Sequence, residues 1–349
     1  MRPQLRGGHL QLRRLRERHR GASPRRGLRD RLARPAGHGQ AAHPRRRGAD
    51  PLLHRPRTPT GRRGLHRSAP ARQGRVVTSP VYALSDAYID RLAELDPGFA
   101  TALGIPGRDE EMTDFSPAGH EARETLDRTT LARLDALDAS GDRDRLAAGV
   151  LRNSLEMAAI ERAAGEHLRT IRVLAGDVDY ARSVFDLMPT ETAAQWTTIA
   201  ARMERVPGAF AGMRESWRLG IQRGVVAQQR QVLAVATMLE GWAGTPGEPG
   251  FFGALAARGA AVAGAPTARL EAAAEGAARA LTETATFLRR EYAPVADPRD
   301  GVGEERHAIA RRRYMGMDVD ADDAYAWAFG EVARLDAEMR ACAAEILPG

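Results

Sequence analysis

Lysine is absent from this 349-residue chain, and cysteine occurs once, at Cys342. Without Lys there is no G-x-x-x-x-G-K-[ST] phosphate loop. Without a second Cys there is no intrachain disulfide, and a reducing cytoplasm is the expected setting. Long apolar runs are missing as well. The most apolar stretch, Val225 to Leu239, is interrupted by Gln228, Gln229, Arg230 and Gln231, short of the roughly 20 apolar residues of a membrane span. No G-x-S-x-G occurs, nor a G-x-G-x-x-G behind a strand-like run. Nucleotide cradling and the nucleophile-elbow type of serine hydrolase therefore lack support.

What is present divides unevenly along the chain. Residues 1–75 hold 22 Arg against three acids (Glu17, Asp30, Asp50), six of the nine histidines, and no Phe, Tyr, Trp, Val or Ile. The remaining 274 residues hold 30 Arg against 42 acids, so a basic average conceals an acidic body. A segment without large apolar side chains cannot offset a backbone ordering cost of roughly 1–2 kcal/mol per residue, and disorder is expected for it. Three readings of residues 1–75 compete: a mis-assigned start that brings upstream GC-rich sequence into frame, a nucleic-acid-binding arm, and a targeting peptide. The mis-assigned start is preferred, because the composition becomes ordinary near Val76-Val77-Thr78. A secretory signal would need a 7–15-residue apolar stretch, and an arm that binds nucleic acid would be expected to interleave aromatics for stacking.

From Ser85 onward the apolar residues recur at helical spacing, and Leu, Ala, Arg and Glu outnumber β-branched residues, which predicts an all-α body over 76–349. Ser85 is expected to cap a first helix ending before Pro97, and Ser116 with Pro117 to start another. Residues 142–164 predict a core helix with Leu146, Val150, Leu151, Leu155 and Ala158 on its buried side. Thr190 is expected to open a helix with Trp196, Ile199 and Met203. Further helices follow from Val206-Pro207, after Gly224, and from Thr267 to Tyr292. Asp320 is expected to cap a last helix with Ala328, Val332, Leu335, Met339, Cys342 and Ile346 at steps of four and three. Such a seam requires a neighbouring helix. Since Leu347-Pro348-Gly349 reads as a helix stop, more structure is expected beyond it.

The residues that carry chemistry are few. His120-Glu121-Ala122-Arg123-Glu124 imitates the opening of an H-E-x-x-H zinc motif, but Glu124 stands where the second His belongs. A solvated first helical turn explains it more simply, since acids suit that end of the helix dipole. His167 reads as an exposed helix-end residue and Cys342 as a core residue on an apolar stripe. Trp196, Trp217, Trp242 and Trp327 also read as core. Asp318, Asp320, Asp322 and Asp323 lack the Gly and Glu register of an EF-hand loop and fit helix capping. No residue of the chain is assigned as catalytic, cofactor-binding or metal-ligating.

One ordered string is more specific. Phe185-Asp186-Leu187-Met188-Pro189, Trp196 with Ile199, Val206-Pro207, Arg230-Gln231-Val232, Trp242, Phe251-Phe252 and Asp323-Ala324-Tyr325-Ala326-Trp327 occur in succession, after Asp96-Pro97 and Leu103-Gly104-Ile105. This string resembles the bacterial domain-of-unknown-function family 885 over nearly all of residues 80–349. The resemblance implies a helical array like the N-terminal half of a gluzincin-type metallopeptidase. It also implies a downstream H-E-G-x-P-G-H segment that supplies the zinc ligands and the general base, and the chain contains no such segment. The expectation is a truncated, N-terminal portion, inactive alone, with zinc and a peptide-like substrate reserved for a full-length member. The alternatives are a non-enzymatic helical interaction module and nucleic-acid binding through the Arg-rich arm. Neither nucleic acid nor membrane is expected as a partner of the body, but self-association through exposed helix faces is.

Overall fold

Prolines and small polar residues set most helix starts in the computed structural model of the chain, which describes residues 79–245 and 247–346. The expectations for residues 1–75 lie outside the described residues. Helix α1 (Pro80–Leu95) is capped by the Ser79 hydroxyl, which accepts from the Val81 N–H. Ser85, the expected cap, lies one turn inside and returns its hydroxyl to the Val81 carbonyl. A short α2 (Pro97–Leu103) follows, with Asp96 capping it through the Phe99 N–H and Gly104 closing it at φ 69°. α3 (Pro117–Asp135) begins as predicted, with Ser116 accepting from the Gly119 N–H. α4 (Asp142–Ala163) leads through a 3-10 turn (Glu166–Leu168) to α5 (Asp177–Ser183).

The second half forms a bundle: α6 (Ala193–Met203), α7 (Val206–Gln222), α8 (Gln229–Ala243), α9 (Phe251–Ala260) and α10 (Thr267–Phe287). α6 starts two residues later than predicted, because Thr192 and Gln195 form a reciprocal capping box. Thr190 instead gives its carbonyl to the Trp196 indole N–H at 3.0 Å. Gly244–Thr245 and Glu248–Pro249 pair as a two-residue antiparallel ladder where the sequence shows only Gly and Pro breakers. α10 is the hub, packing against α6, α7, α8 and α9. Its buried stripe of Leu270, Ala274, Ala277, Leu281 and Ala285 is mostly alanine, which lets the surrounding helices approach closely. A π turn at Leu288–Tyr292 then swings Tyr292 inward, where its hydroxyl accepts from the Ala227 N–H at 2.8 Å.

A smaller cluster of Val81, Leu84 and Leu134 holds α1 and α3 together, with Leu151 of α4 packed against it. α4 corrects the prediction made for it: Leu155 and Met157 are buried, but Leu146 and Val150 are 70% and 64% exposed. Its first turns pack only through Ala147, Ala148 and Leu151, leaving the Leu146 side uncovered. Two glycines give opposite expectations. A Cβ on Gly119 would stand 2.3 Å from the Asp114 carbonyl oxygen, whereas one on Gly149, inside α4, would meet nothing. Gly119→Ala is expected to lower stability by about 1–3 kcal/mol. Gly149→Ala is expected to raise it by roughly 0.5–1 kcal/mol, both read from urea transitions.

The last two helices are α11 (Glu304–Met315) and α12 (Ala321–Ile346), and neither contains a buried residue. Asp320 caps α12 as predicted, accepting from the Asp322 and Asp323 N–H groups. Among the described residues, no helix is long and apolar enough to cross a membrane.

Candidate functional site

Polar side chains converge where α1, α3, α4 and α5 meet. At the α1–α2 joint, the same Asp96 oxygen that caps α2 accepts from Thr113 at 2.5 Å and from the Tyr180 hydroxyl at 2.9 Å. Gly98 is needed beneath this node, since a Cβ there would lie 2.9 Å from the Tyr180 oxygen. One turn away, Arg123 donates to the Asp114 carbonyl at 2.8 Å and to the Leu95 carbonyl at 3.4 Å, and its other amine lies 3.1 Å from His120 Nδ1. Arg162 of α4 donates to the His120 backbone carbonyl at 3.0 Å. The Thr170 hydroxyl bonds Asp177.

His120 and His167 are the feature that sequence reasoning missed. Both were expected in solvent, but His120 is buried and His167 half-buried, with ring centroids 5.2 Å apart and ring planes at 63°. The sequence signal was available only indirectly: His120 sits in the first turn behind a Ser-Pro start, on the face that turns toward α4. Buried Nε2 of His120 and Nδ1 of His167 have no hydrogen-bond partner. Burial, then Arg123, His167 and Arg162, pull the His120 imidazole down to about 3. Burial, then Arg162, Arg223 and Arg123, lower His167 to about 4. Both rings are therefore neutral at pH 7. Burial pushes the Asp177 carboxyl up to about 6, against the Thr170 hydroxyl and Arg123. Burial also raises Glu166, but hydrogen bonds and charge from Arg306 and Arg169 outweigh it and hold that carboxyl below its ordinary range.

A zinc ion does not fit this cluster. Neutral imidazoles are good ligands, but the guanidinium groups of Arg123, Arg162 and Arg223 surround them with positive charge. A dication needs anionic or neutral donors from several sides. Among the described residues, no three His, Cys, Asp or Glu side chains group as a metal site. Two open clefts border α3. One of about 590 Å³ is lined by Arg91, Leu95, Glu121 and Thr125, and one of about 300 Å³ by Glu94, Glu111, Met112 and Asp114. Neither is lined by either histidine.

The other candidate is a surface. α12 exposes Val332 at 62%, Leu335 at 48%, Met339 at 71% and Ile346 at 77%, beside Tyr325, Trp327 and Phe329. Two expectations are corrected here: Cys342 is exposed rather than core, and Trp327 is 69% exposed, while Trp196 and Trp217 are buried. The periodicity of α12 was legible in the sequence, but what covers the stripe was not. The apolar residues flanking it deepen the patch, with Tyr325 and Phe329 in a tilted ring contact at 4.7 Å.

A family model described as bacterial protein of unknown function, DUF885, matches residues 97–349. None of the curated proteins matches the chain. Among solved structures, the crystal structure of the putative lipoprotein from Colwellia psychrerythraea superposes with a TM-score of 0.61 at 12% identity, over 75% of this chain and 51% of that one. At that identity the likeness concerns the fold, and the chain spans about half the length of the structure it matches.

Proposed function

Because the chain belongs to DUF885, a bacterial family of unknown function, we infer that its helical body is a scaffold and docking module of a zinc-peptidase-like system, not a hydrolytic centre in itself. The H-E-G-x-P-G-H segment implied by the resemblance occurs nowhere in residues 1–349. The imidazole pair at His120 and His167 lies among arginines and makes a poor substitute. The observation that carries the reading is the uncovered stripe of α12. A helix with Val332, Leu335, Met339 and Ile346 in water forgoes about 1.5–3 kcal/mol for each side chain that a neighbour would bury. A continuous apolar face of this kind marks an interaction surface.

The test is metal analysis together with an activity screen on the purified chain. Zinc well below one equivalent is expected, with no cleavage of peptide or simple amide substrates above the buffer rate. A full equivalent of tightly held zinc that is lost in a His120→Gln variant would overturn the reading.

A further inference from the structure

The charges that turn a cation away from the histidine pair suit an anion. Arg123 places an amine 3.1 Å from His120 Nδ1, and a guanidinium can only donate. Nδ1 is therefore the acceptor, and the His120 proton sits on Nε2. That N–H belongs to a side chain in a residue only 9% exposed, and it meets no acceptor. Nδ1 of His167 is likewise buried and unpartnered, and a neutral imidazole can carry its proton there by choice of tautomer. Two rings with centroids 5.2 Å apart thus offer two donors in a cluster where the protein supplies nothing to accept them, and buried donors are costly to leave unpaired.

The surrounding charge is positive after its own ion pairs are counted. Arg123 faces Asp96, Asp114 and Asp177, which balance it. Arg162 donates to the His120 carbonyl at 3.0 Å, and its acid, Glu124, stands 3.7 Å away and 46% exposed. Glu166 is already held by Arg306 at 2.7 and 2.8 Å and by Arg169 at 2.6 Å. Arg223 ends α7 exposed, with no ion pair among the described residues. Arg162, Arg169, Arg223 and Arg306 thus stand against Glu124 and Glu166 alone. Close backbone packing brings the His167 turn to Arg223: a Cβ on Gly220 would lie 2.7 Å from the Leu168 carbonyl oxygen, and one on Gly165 would lie 2.8 Å from Val225. We propose that His120, His167, Arg162 and Arg223 form a receptor for a small oxyanion, a carboxylate or phosphate group. It enters past the exposed Arg223 and accepts from the two imidazoles at the inner end. Charge-assisted hydrogen bonds of this kind are the strong ones.

The test is a titration of the full chain, carrying isotope-labelled histidine, with inorganic phosphate and separately with acetate, at pH 7 and an ionic strength held constant with sodium chloride. His120→Gln and His167→Gln variants assign the two imidazole signals. Both signals are expected to shift together and saturate. The tighter of the two probes tells whether the natural ligand presents a phosphate or a carboxylate group. Arg223→Gln is expected to weaken the binding by about tenfold or more, the effect of removing a charged hydrogen-bond donor, and to leave the urea transition of the chain unchanged. Shifts that never saturate with either probe, saturation at other histidines while these two stay still, or undiminished binding in Arg223→Gln would each overturn the proposal.

Discussion

Replacing Arg202 with methionine is expected to destabilise the chain by about 3–5 kcal/mol, the range for breaking a buried charged hydrogen-bond node. Arg202 is fully buried in α6. Its Nε donates to the Glu111 carbonyl at 2.9 Å, and one amine reaches the Thr101 hydroxyl at 2.7 Å and the Arg108 carbonyl at 3.0 Å, with the Asp109 carboxylate 3.9 Å away. A single guanidinium thus pins the loop behind α2 onto the bundle. Methionine roughly conserves volume but leaves these carbonyls buried without donors. Lysine keeps the charge and loses the fork geometry, so Arg202→Lys should recover only a fraction. Urea denaturation reads the result as a lower midpoint at unchanged slope. A loss under about 1 kcal/mol would mean that the loop is held by something else.

The second large effect is on pH dependence. His120 and His167 are held neutral in the folded chain, at about 3 and about 4. Unfolding returns them to about 6.5, so between those values the unfolded chain binds more protons. The stability they contribute is complete above pH 6.5 and is lost as pH falls toward the folded values. Each imidazole is expected to account for a loss of about 2–3 kcal/mol between pH 7 and 4.5. Asp177 works in the opposite direction. Its folded value of about 6 lies above the usual carboxylate range, so acidification through that window returns about 2 kcal/mol. A net loss of about 3 kcal/mol is expected in urea transitions followed from pH 7 to 4.5. In a His120→Gln, His167→Gln double variant the dependence should flatten or reverse. An unchanged slope in that variant would show that the rings are already solvated.

The helices were legible in the sequence wherever a local rule decides: Ser116-Pro117 at the start of α3, Asp320 at the start of α12, and the Leu270 to Ala285 stripe of α10. The misplaced starts have a shared cause. Ser85 and Thr190 are as good caps as Ser79 and Thr192, and the choice was made by Pro80 and by the Gln195 side chain closing the box. Burial was harder to read, because it depends on which elements meet. The Leu146 side of α4 and the whole of α12 carry core-like stripes that nothing among the described residues covers. His120 went the other way: its neighbours Glu121 and Glu124 suggested a solvated turn, but α4 closes over it through Arg162. The candidate surface on α12 was therefore visible as a pattern, and the histidine pair was not, since its members are 47 positions apart in the sequence.

Whether the α12 stripe is a surface or part of this chain's own core is decided by the unfolding free energy of a Val332→Glu, Met339→Glu double variant. These side chains are 62% and 71% exposed, so the transition should move by no more than roughly 0.5 kcal/mol per site. A loss of several kcal/mol, the penalty for placing carboxylates in an apolar interior, would contradict the assignment of α12 as a docking face.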